Sequence, residues 1–454
     1  MGQQLKATEL IKLEKELNNV LYFGIPIGGL LAFSFEQINK NQQHFPWQYK
    51  LVIYKNVLKN LIFGFETPFL LNNKVIITKH GANAHLNKMM DPLVKHWNKQ
   101  TVLFQSKEIP IATVANSIIS FQSSVRLSRV NQFKVVKEWV RLIKKITKHI
   151  NSTSLNSKLK SRLKFDLLIQ LCKVQFWINY FEQETPNIII TDYDRGHHTA
   201  PLVLAANKFN IPTIVIQHGV ISPSYGFIPL LANKVCVWGN IQKKQYIDAG
   251  EEKEKIYVTG TPVIDLTAKG QKSFVKIKEA YGFDIEKKQI AIGINPIETK
   301  ELIKFINDFL LAVKDIEHVE PIIKLHPAQS KAYIKSICQC PNNVLFFDKG
   351  VPNEAFFGLI DGLIVHNSGL GIEAVQYDVP VAVYTNLNSS LGNGQIMIET
   401  NQAIAANSVN ELSEWIKNIS NNEYSSNLEI NKDEFYRYTG NEAVEEIIKV
   451  IENL

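Results

Sequence analysis

The sequence predicts an α/β protein of two Rossmann-like domains facing each other across a cleft. Three observations lead there. Beyond about residue 186, short β-branched runs alternate with helical stretches, the pattern of parallel βαβ units with right-handed crossovers. The chain has 454 residues, more than one ordinary core serves and suited to two domains of roughly 200 residues each. Several apolar runs end in turns bearing His, Ser or Gly, at the place where an open α/β sheet holds its ligands.

The elements follow in order. Residues 1 to about 60 read as mixed helical, with helical spacing from Leu5 to Leu17. The apolar stretch Val20 to Phe35 carries Gly24, Pro26, Gly28 and Gly29 and is shorter than the ~20 residues of a membrane span, so it reads as a buried or interfacial segment. Strands are predicted over Lys74–Thr78 and Thr101–Phe104, then a long helical zone from about Asn131 to Glu184. Asn187–Ile190, Pro212–Ile216 and Lys234–Trp238 read as buried parallel strands, with a helix over Ala200–Asn207. The first domain is expected to end there, at residue 238, and the second to run from 239 to 454. Its expected strands are Ile256–Thr259, Gln289–Ile294, Pro321–Leu325, Val344–Phe347, Gly362–Val365 and Val381–Tyr384, with helices over Glu301–Ala312 and Gly371–Tyr377.

Composition narrows the classes. Hydrophobic residues make up 45% and charged residues 20%, as in folded globular proteins. The net charge of +7 is a mild excess and gives no reason to expect a nucleic-acid partner. A basic stretch from Lys134 to Lys164 suits an anionic membrane surface, a phosphorylated acceptor, or simply a solvated helix face. Four cysteines, without metal-ligand spacing, make no disulfide framework in a chain this long and fit a reducing cytoplasm, with any membrane contact peripheral.

Four constellations could carry chemistry. The turn after Ile190 holds Asp192, Asp194, Arg195, His197 and His198; either aspartate could act as general base with Arg195 as its cationic partner, or cap a helix. Gln217-His218-Gly219 follows the next strand and places an imidazole where Gly219 lets the backbone approach a ligand; His80 repeats the arrangement after the first strand. A buried structural histidine is the alternative. Gly260 and Pro262 form a tight turn after a short strand, where the chain of a two-domain transferase would cross into the nucleotide half, and Gly260 is counted with the donor-binding residues. In the last third, Lys324, His326 and Pro327 end one strand, and Asn367, Ser368, Gly369 and Gly371 follow another; both sets can bind phosphate, with Glu373 able to accept from ribose hydroxyls or to favour the helix dipole.

These motifs, Ile216-Gln-His-Gly219, Val237-Trp-Gly239, Lys255-Ile-Tyr-Val-Thr-Gly-Thr-Pro262, Lys324-Leu-His-Pro327 and Asn367-Ser-Gly-Leu-Gly-Ile-Glu-Ala374, resemble the GT-B glycosyltransferases of bacterial surface-polysaccharide assembly. The His-Pro motif followed by a Ser-containing motif is similar to bacterial sialyltransferases, Kdo transferases of capsule synthesis and CDP-glycerol glycerophosphotransferases. The resemblance covers roughly residues 186 to 385. It implies a metal-independent transferase without a bound cofactor that uses a nucleotide sugar, with a CMP-sugar such as CMP-Kdo or CMP-sialic acid favoured, and a glycan or lipid-linked acceptor, in the cytoplasm or peripherally on the inner membrane. His326 and Ser368 would hold the donor phosphate, Glu373 the ribose, and Asp192 or Asp194 would be the base. His218 joins the catalytic set, and Arg195, His80 and Gly219 the acceptor side. Other readings are a CDP-polyol phosphotransferase, a UDP-N-acetylglucosamine 2-epimerase, and a nucleotide-sugar-binding protein without catalysis. The epimerases share the fold and a Ser-Gly…Glu motif, but their His-Arg-x-Glu-Asn stretch is replaced here by Gly293-Ile-Asn-Pro-Ile-Glu298.

Overall fold

The computed structural model describes residues 2–39, 75–80, 84–97, 101–105, 117–120, 129–221, 226–264, 266, 282–284, 286–348, 350–424 and 431–454. The mixed-helical expectation beyond residue 39, and Lys74, fall outside these. The chain forms two units, one of Met1–Val263 with Asn441–Leu454, the other of Ile264–Gly440.

The first unit is built on seven parallel strands. In chain order they are β1 (Val75–Lys79), β2 (Thr101–Gln105), β3 (Ser117–Ser120), β4 (Ile188–Thr191), β5 (Thr213–Ile216), β6 (Lys234–Val237) and β7 (Ile256–Val258). They lie side by side as β3-β2-β1-β4-β5-β6-β7, so the order reverses between β1 and β4. That reversal is the topological switch point, where ligands of open α/β sheets sit beyond the carboxyl ends of the strands.

Strand alternation sends Ile76 and Ile189 to one face and Val75, Ile77, Ile188 and Ile190 to the other. The first face is covered by α1 (Gly2–Leu17), α3 (Arg129–Asn151), α4 (Ser157–Phe181) and α5 (Thr199–Lys208). The second is covered by α2 (Ala84–His96) and by a helix from the chain's far end, Gly440–Glu452. The helical zone expected from 131 to 184 is thus two helices. Its break lies before Asn156, whose side chain caps α4 by accepting from the Leu159 amide at 3.0 Å.

The Val20–Phe35 stretch forms a hairpin, Leu21–Tyr22 against Ile25–Pro26, then two short helices through Asn39 whose residues are mostly buried. No described helix is long and apolar enough to cross a membrane.

The second unit carries six parallel strands: β8 (Lys288–Gly293), β9 (Val319–Lys324), β10 (Leu345–Phe347), β11 (Gly362–Val365), β12 (Val381–Tyr384) and β13 (Ile404–Ala406). Their order, β10-β9-β8-β11-β12-β13, repeats the plan of the first sheet, with its switch point between β8 and β11. Helix α6 (Thr299–Val313) presents Leu302, Phe305, Ile306 and Phe309 at helical spacing to Ile290, Ile292 and Ile323. Between β11 and β12 runs the short helix α7 (Leu370–Gln376).

The division differs from the expected boundary at 238 in two ways. Strand β7 continues the first sheet, pairing Val235 with Ile256, which carries that unit to Val263. The last helix, α8 (Gly440–Glu452), returns to the first unit because its apolar stripe, Ile447 and Ile451, packs with Val75, Ile77 and Ile188.

Candidate functional site

At the switch point of the first sheet, β1 runs into His80 and β4 into Asp192. The Asp192 carboxylate is fully buried and accepts three hydrogen bonds from one residue: the His80 amide at 3.1 and 3.0 Å to its two oxygens, and His80 Nδ1 at 2.7 Å. This fixes the His80 ring, which is 38% exposed. Burial lowers the basicity of His80, but the hydrogen bond and charge of Asp192 outweigh it, and the net shift is upward.

His218, at the end of β5, joins them. Its Nδ1 donates to the Asp192 carbonyl at 2.6 Å, which leaves Nε2 with a free lone pair in the neutral ring. Tyr193 and Phe227 stand 5.4 and 5.0 Å from it, ring centre to ring centre. Burial among these rings, together with the neighbouring His80, pushes its pKa down to about 4. Backbone contacts hold the loop in place: His85 Nε2 donates to the His218 carbonyl at 2.8 Å, and Gln217 Nε2 to the Gly219 carbonyl at 2.8 Å. The site therefore pairs an imidazole that favours the charged form with one that stays neutral.

The structure parts the two aspartates. Asp194 is 2% exposed, and its Oδ2 accepts from the amides of Leu231 and Ala232 at 2.7 and 2.9 Å. Burial raises its pKa. Arg195, also buried, forms a two-pronged pair with Glu14 at 3.1 and 2.8 Å and donates to the Pro229 carbonyl at 2.6 Å. Both side chains thus tie the β4 turn to α1 and to the 229–232 segment, the capping-like alternative rather than a base with its cationic partner. Tyr193, which the sequence did not single out, donates its hydroxyl to Glu36 and packs 5.8 Å from the His80 ring. Nothing in residue spacing signals Glu36, which is 157 positions from Tyr193.

In the second unit, Asn295 follows β8 and Asn367 follows β11, and Asn295 Nδ2 donates to Asn367 Oδ1 at 2.6 Å. The sequence reading missed Asn295, whose only signal is its place at the reversal of strand order. His366, before it, is buried, with Nδ1 donating to the Tyr384 carbonyl at 2.8 Å and Nε2 beside the Ser389 hydroxyl at 2.9 Å. Ser368 is 8% exposed, and its hydroxyl accepts from the Leu370 amide at 3.3 Å, fixing the entry to α7 with Gly369 as its capping residue. Gly371 lets α7 lie close to its neighbours: a Cβ there would come within 3.0 Å of Met397 Sδ and Val365.

His326 is half-buried at the end of β9. Its Nδ1 accepts from the Ala328 amide at 3.1 Å, which makes Nε2–H the outward donor. Burial lowers its pKa, so the ring is neutral. Pro327 follows it, exposed. Lys324 departs from its expected phosphate role: it is 7% exposed and donates to the carbonyls of Asp348 and Val351 at 2.9 and 3.2 Å. Burial lowers its pKa to about 8. Glu373 accepts from Asn353 Nδ2 at 2.9 Å, and Gly260 adopts φ +73° after β7, in the first unit. Among the described residues, no group of three or more His, Cys, Asp and Glu could hold a metal ion.

No family model matches the sequence, and no curated protein matches it. Solved structures share its fold. UDP-GlcNAc 2-epimerase from Methanocaldococcus jannaschii is 13% identical with a TM-score of 0.53, over 84% of this chain and 99% of that one. UDP-GlcNAc 2-epimerase from Neisseria meningitidis, bound to UDP-GlcNAc, is 15% identical with a TM-score of 0.51, over 83% and 100%. HepE from Anabaena, in complex with UDP-glucose, is 12% identical with a TM-score of 0.50, over 84% and 99%. At such identities the likeness is one of fold: two Rossmann-like domains of the GT-B type.

Proposed function

We propose that this chain is an enzyme acting on a nucleotide-activated sugar, with a UDP-sugar as substrate and an epimerase-type proton transfer as its chemistry. The observation that carries the reading is the His80–Asp192–His218 cluster at the switch point of the first sheet. Inverting the hydrogen-bearing carbon beside the anomeric centre takes one group to remove a proton, as the C–H electron pair expels the nucleotide diphosphate from the anomeric carbon, and another to return a proton on the opposite face as the diphosphate adds back. Neutral His218 offers the lone pair of Nε2; His80, kept basic by Asp192, offers a proton. Neighbouring groups driven apart in pKa are the usual mark of such an acid and base. Asp192 orients His80 in the way a buried carboxylate orients an imidazole elsewhere.

The second unit would take the nucleotide diphosphate. His326 Nε2–H, the Ser368 hydroxyl and the Asn295–Asn367 pair stand at the tips of β9, β11 and β8, strands adjacent in one sheet. Neutral donors of this kind stabilise phosphate charge without a cation. Glu373, which accepts from Asn353, would meet the ribose hydroxyls. Solved proteins of this fold bind UDP-GlcNAc and UDP-glucose, which favours UDP over the CMP nucleotide that the His-Pro motif suggested.

A transferase remains the second reading, supported by the Lys324-Leu-His-Pro327 motif and by Gly293–Glu298 standing where the epimerases carry His and Arg. In it His218 would deprotonate an acceptor hydroxyl. One experiment divides the two. The protein is incubated with UDP-GlcNAc in deuterated water, without acceptor, and the sugar is followed by proton NMR. Loss of a ring-proton signal with appearance of a second sugar epimer supports the epimerase; an unchanged sugar that releases UDP only when a glycan acceptor is added supports the transferase. No binding of UDP or UDP-GlcNAc by calorimetry would remove both.

A further inference from the structure

Helix α3 is amphipathic in an unusual way. Its buried stripe, Val135, Leu142, Ile146 and Ile150, packs into the first unit's core, as helical spacing requires. Its outward stripe is not merely polar. Phe133 is 74% exposed and Val140 48%, and they alternate along the same stripe with Lys137, Lys144 and Lys148. From Lys134 to Lys148 the helix bears five lysines and Arg141 against one acid, Glu138, and Arg141 pairs with that acid at 2.7 Å.

Two neighbours extend the face. Trp139 of α3 donates to the Lys164 carbonyl of α4 at 2.8 Å, which sets Phe165, 37% exposed, alongside. The hairpin adjoins the same α4: Tyr22 donates to Gln175 at 2.5 Å. At its tip, Leu21 is 49% and Phe23 59% exposed. Phe23 takes φ +47°, a left-handed conformation that an aromatic residue seldom adopts, beside Gly24 at φ +86°. Of the nine large hydrophobic residues exposed among the described residues, five belong to α3, the start of α4 and the hairpin, elements joined by the Trp139–Lys164 and Tyr22–Gln175 bonds. Such a gathering marks an interaction surface rather than scattered surface residues.

We propose that this face, the outer side of α3 and the start of α4 with the hairpin tip, docks the protein on an anionic phospholipid bilayer. Protruding aromatic and aliphatic side chains set among lysines match an interface that is apolar below and negatively charged at its surface. Lysine predominates over arginine, which suits a diffuse surface potential better than the forked recognition of single phosphates or carboxylates. The long lysine stems lie along the apolar residues while their charges stay in water. Neither the proton-transfer cluster nor the nucleotide-binding residues take part, so the proposal stands or falls apart from the reading of the activity.

The test is co-sedimentation of the full chain with vesicles of phosphatidylcholine alone and of phosphatidylcholine with one third phosphatidylglycerol, at low and physiological salt. The expected result is retention on the anionic vesicles that weakens with salt. Each lysine near a charged bilayer contributes about a fivefold factor in affinity. Lys137→Gln, Lys144→Gln and Lys148→Gln together should therefore cost on the order of a hundredfold, and Phe23→Ser with Phe133→Ser a further clear loss. Circular dichroism and UDP binding of the variants, both unchanged, confirm that they fold. Equal retention on both vesicle types, or anionic binding that ignores the lysine changes, overturns the proposal. So does full competition by soluble polyglutamate with no dependence on the phenylalanines, which would make the face a general polyanion surface. A dimer in solution that the phenylalanine changes dissociate would instead assign the face to a second copy.

Discussion

The imidazole rings of His80 and His218 meet edge to face, 4.6 Å between centres, and their surroundings drive their basicities in opposite directions. Asp192 does both jobs: its carboxylate holds the His80 proton, and its carbonyl holds the one on His218 Nδ1. A single residue at the end of β4 thus sets the protonation of two neighbours.

Turnover should therefore follow a bell-shaped pH profile. On the acid side the rate falls as His218 takes up a proton near pH 4. On the alkaline side it falls as His80 gives up its proton, above the ordinary histidine value. Asp192→Asn removes the charge that raises the His80 pKa, so the alkaline limb should move to lower pH and kcat fall by about 10² to 10⁴. An alkaline limb that stays in place in the variant would remove His80 from the reaction.

Stability carries the same sign for His218. Its folded pKa of about 4 lies below the unfolded value of about 6.5, so the unfolded chain binds more protons between these limits. Folding stability should fall as pH drops from 6.5 towards 4, by at most about 3 kcal/mol from this residue. Urea titrations at pH 7 and pH 4.5 should show a smaller loss in His218→Asn than in the natural sequence.

Arg195→Ala should unfold rather than inactivate. It leaves the Glu14 carboxylate, which burial already holds above its usual pKa, without its guanidinium partner. Breaking a buried pair from one side costs about 3 to 5 kcal/mol. The denaturation midpoint reads the loss directly, and a stable but inactive Arg195→Ala protein would return this arginine to the site.

His326→Ala should weaken UDP binding about tenfold, the effect of one neutral hydrogen bond to a charged phosphate. The fold should be unaffected, since the half-buried ring bonds among the described residues to the Ala328 amide of its own loop. Lys324→Ala should do the reverse: lowered stability, through the lost bonds to the Asp348 and Val351 carbonyls, and little change in the affinity of the properly folded fraction. Calorimetry with UDP and a thermal melt separate the two.

Much of the fold was legible because both sheets are buried on two faces, and parallel buried strands write themselves as runs such as Ile188-Ile-Ile190 or Gly362–Val365. Strand ends shift by a residue or two from the expectation. The strand Ile404–Ala406 was not legible, being three residues of mixed burial at the sheet edge. The site was half legible. Asp192 and Asp194 look alike in a strand-end turn, and only the direction of each side chain separates one that meets His80 from one that meets the Leu231 and Ala232 amides. Glu14 and Glu36 could not be found, because their partners are distant in sequence and single acids on helices carry no pattern. The boundary at 238 failed for a related reason: a strand such as Ile256–Val258 does not announce which sheet it will join.

The return of α8 to the first unit makes residues 264–440 an uninterrupted insertion in it. The second unit is thus one continuous stretch of chain, whereas the first is assembled from two stretches, Met1–Val263 and Asn441–Leu454. Substitutions at Ile447 or Ile451 would therefore loosen the first unit, in whose core they are seated, rather than the second unit that immediately precedes them in the chain.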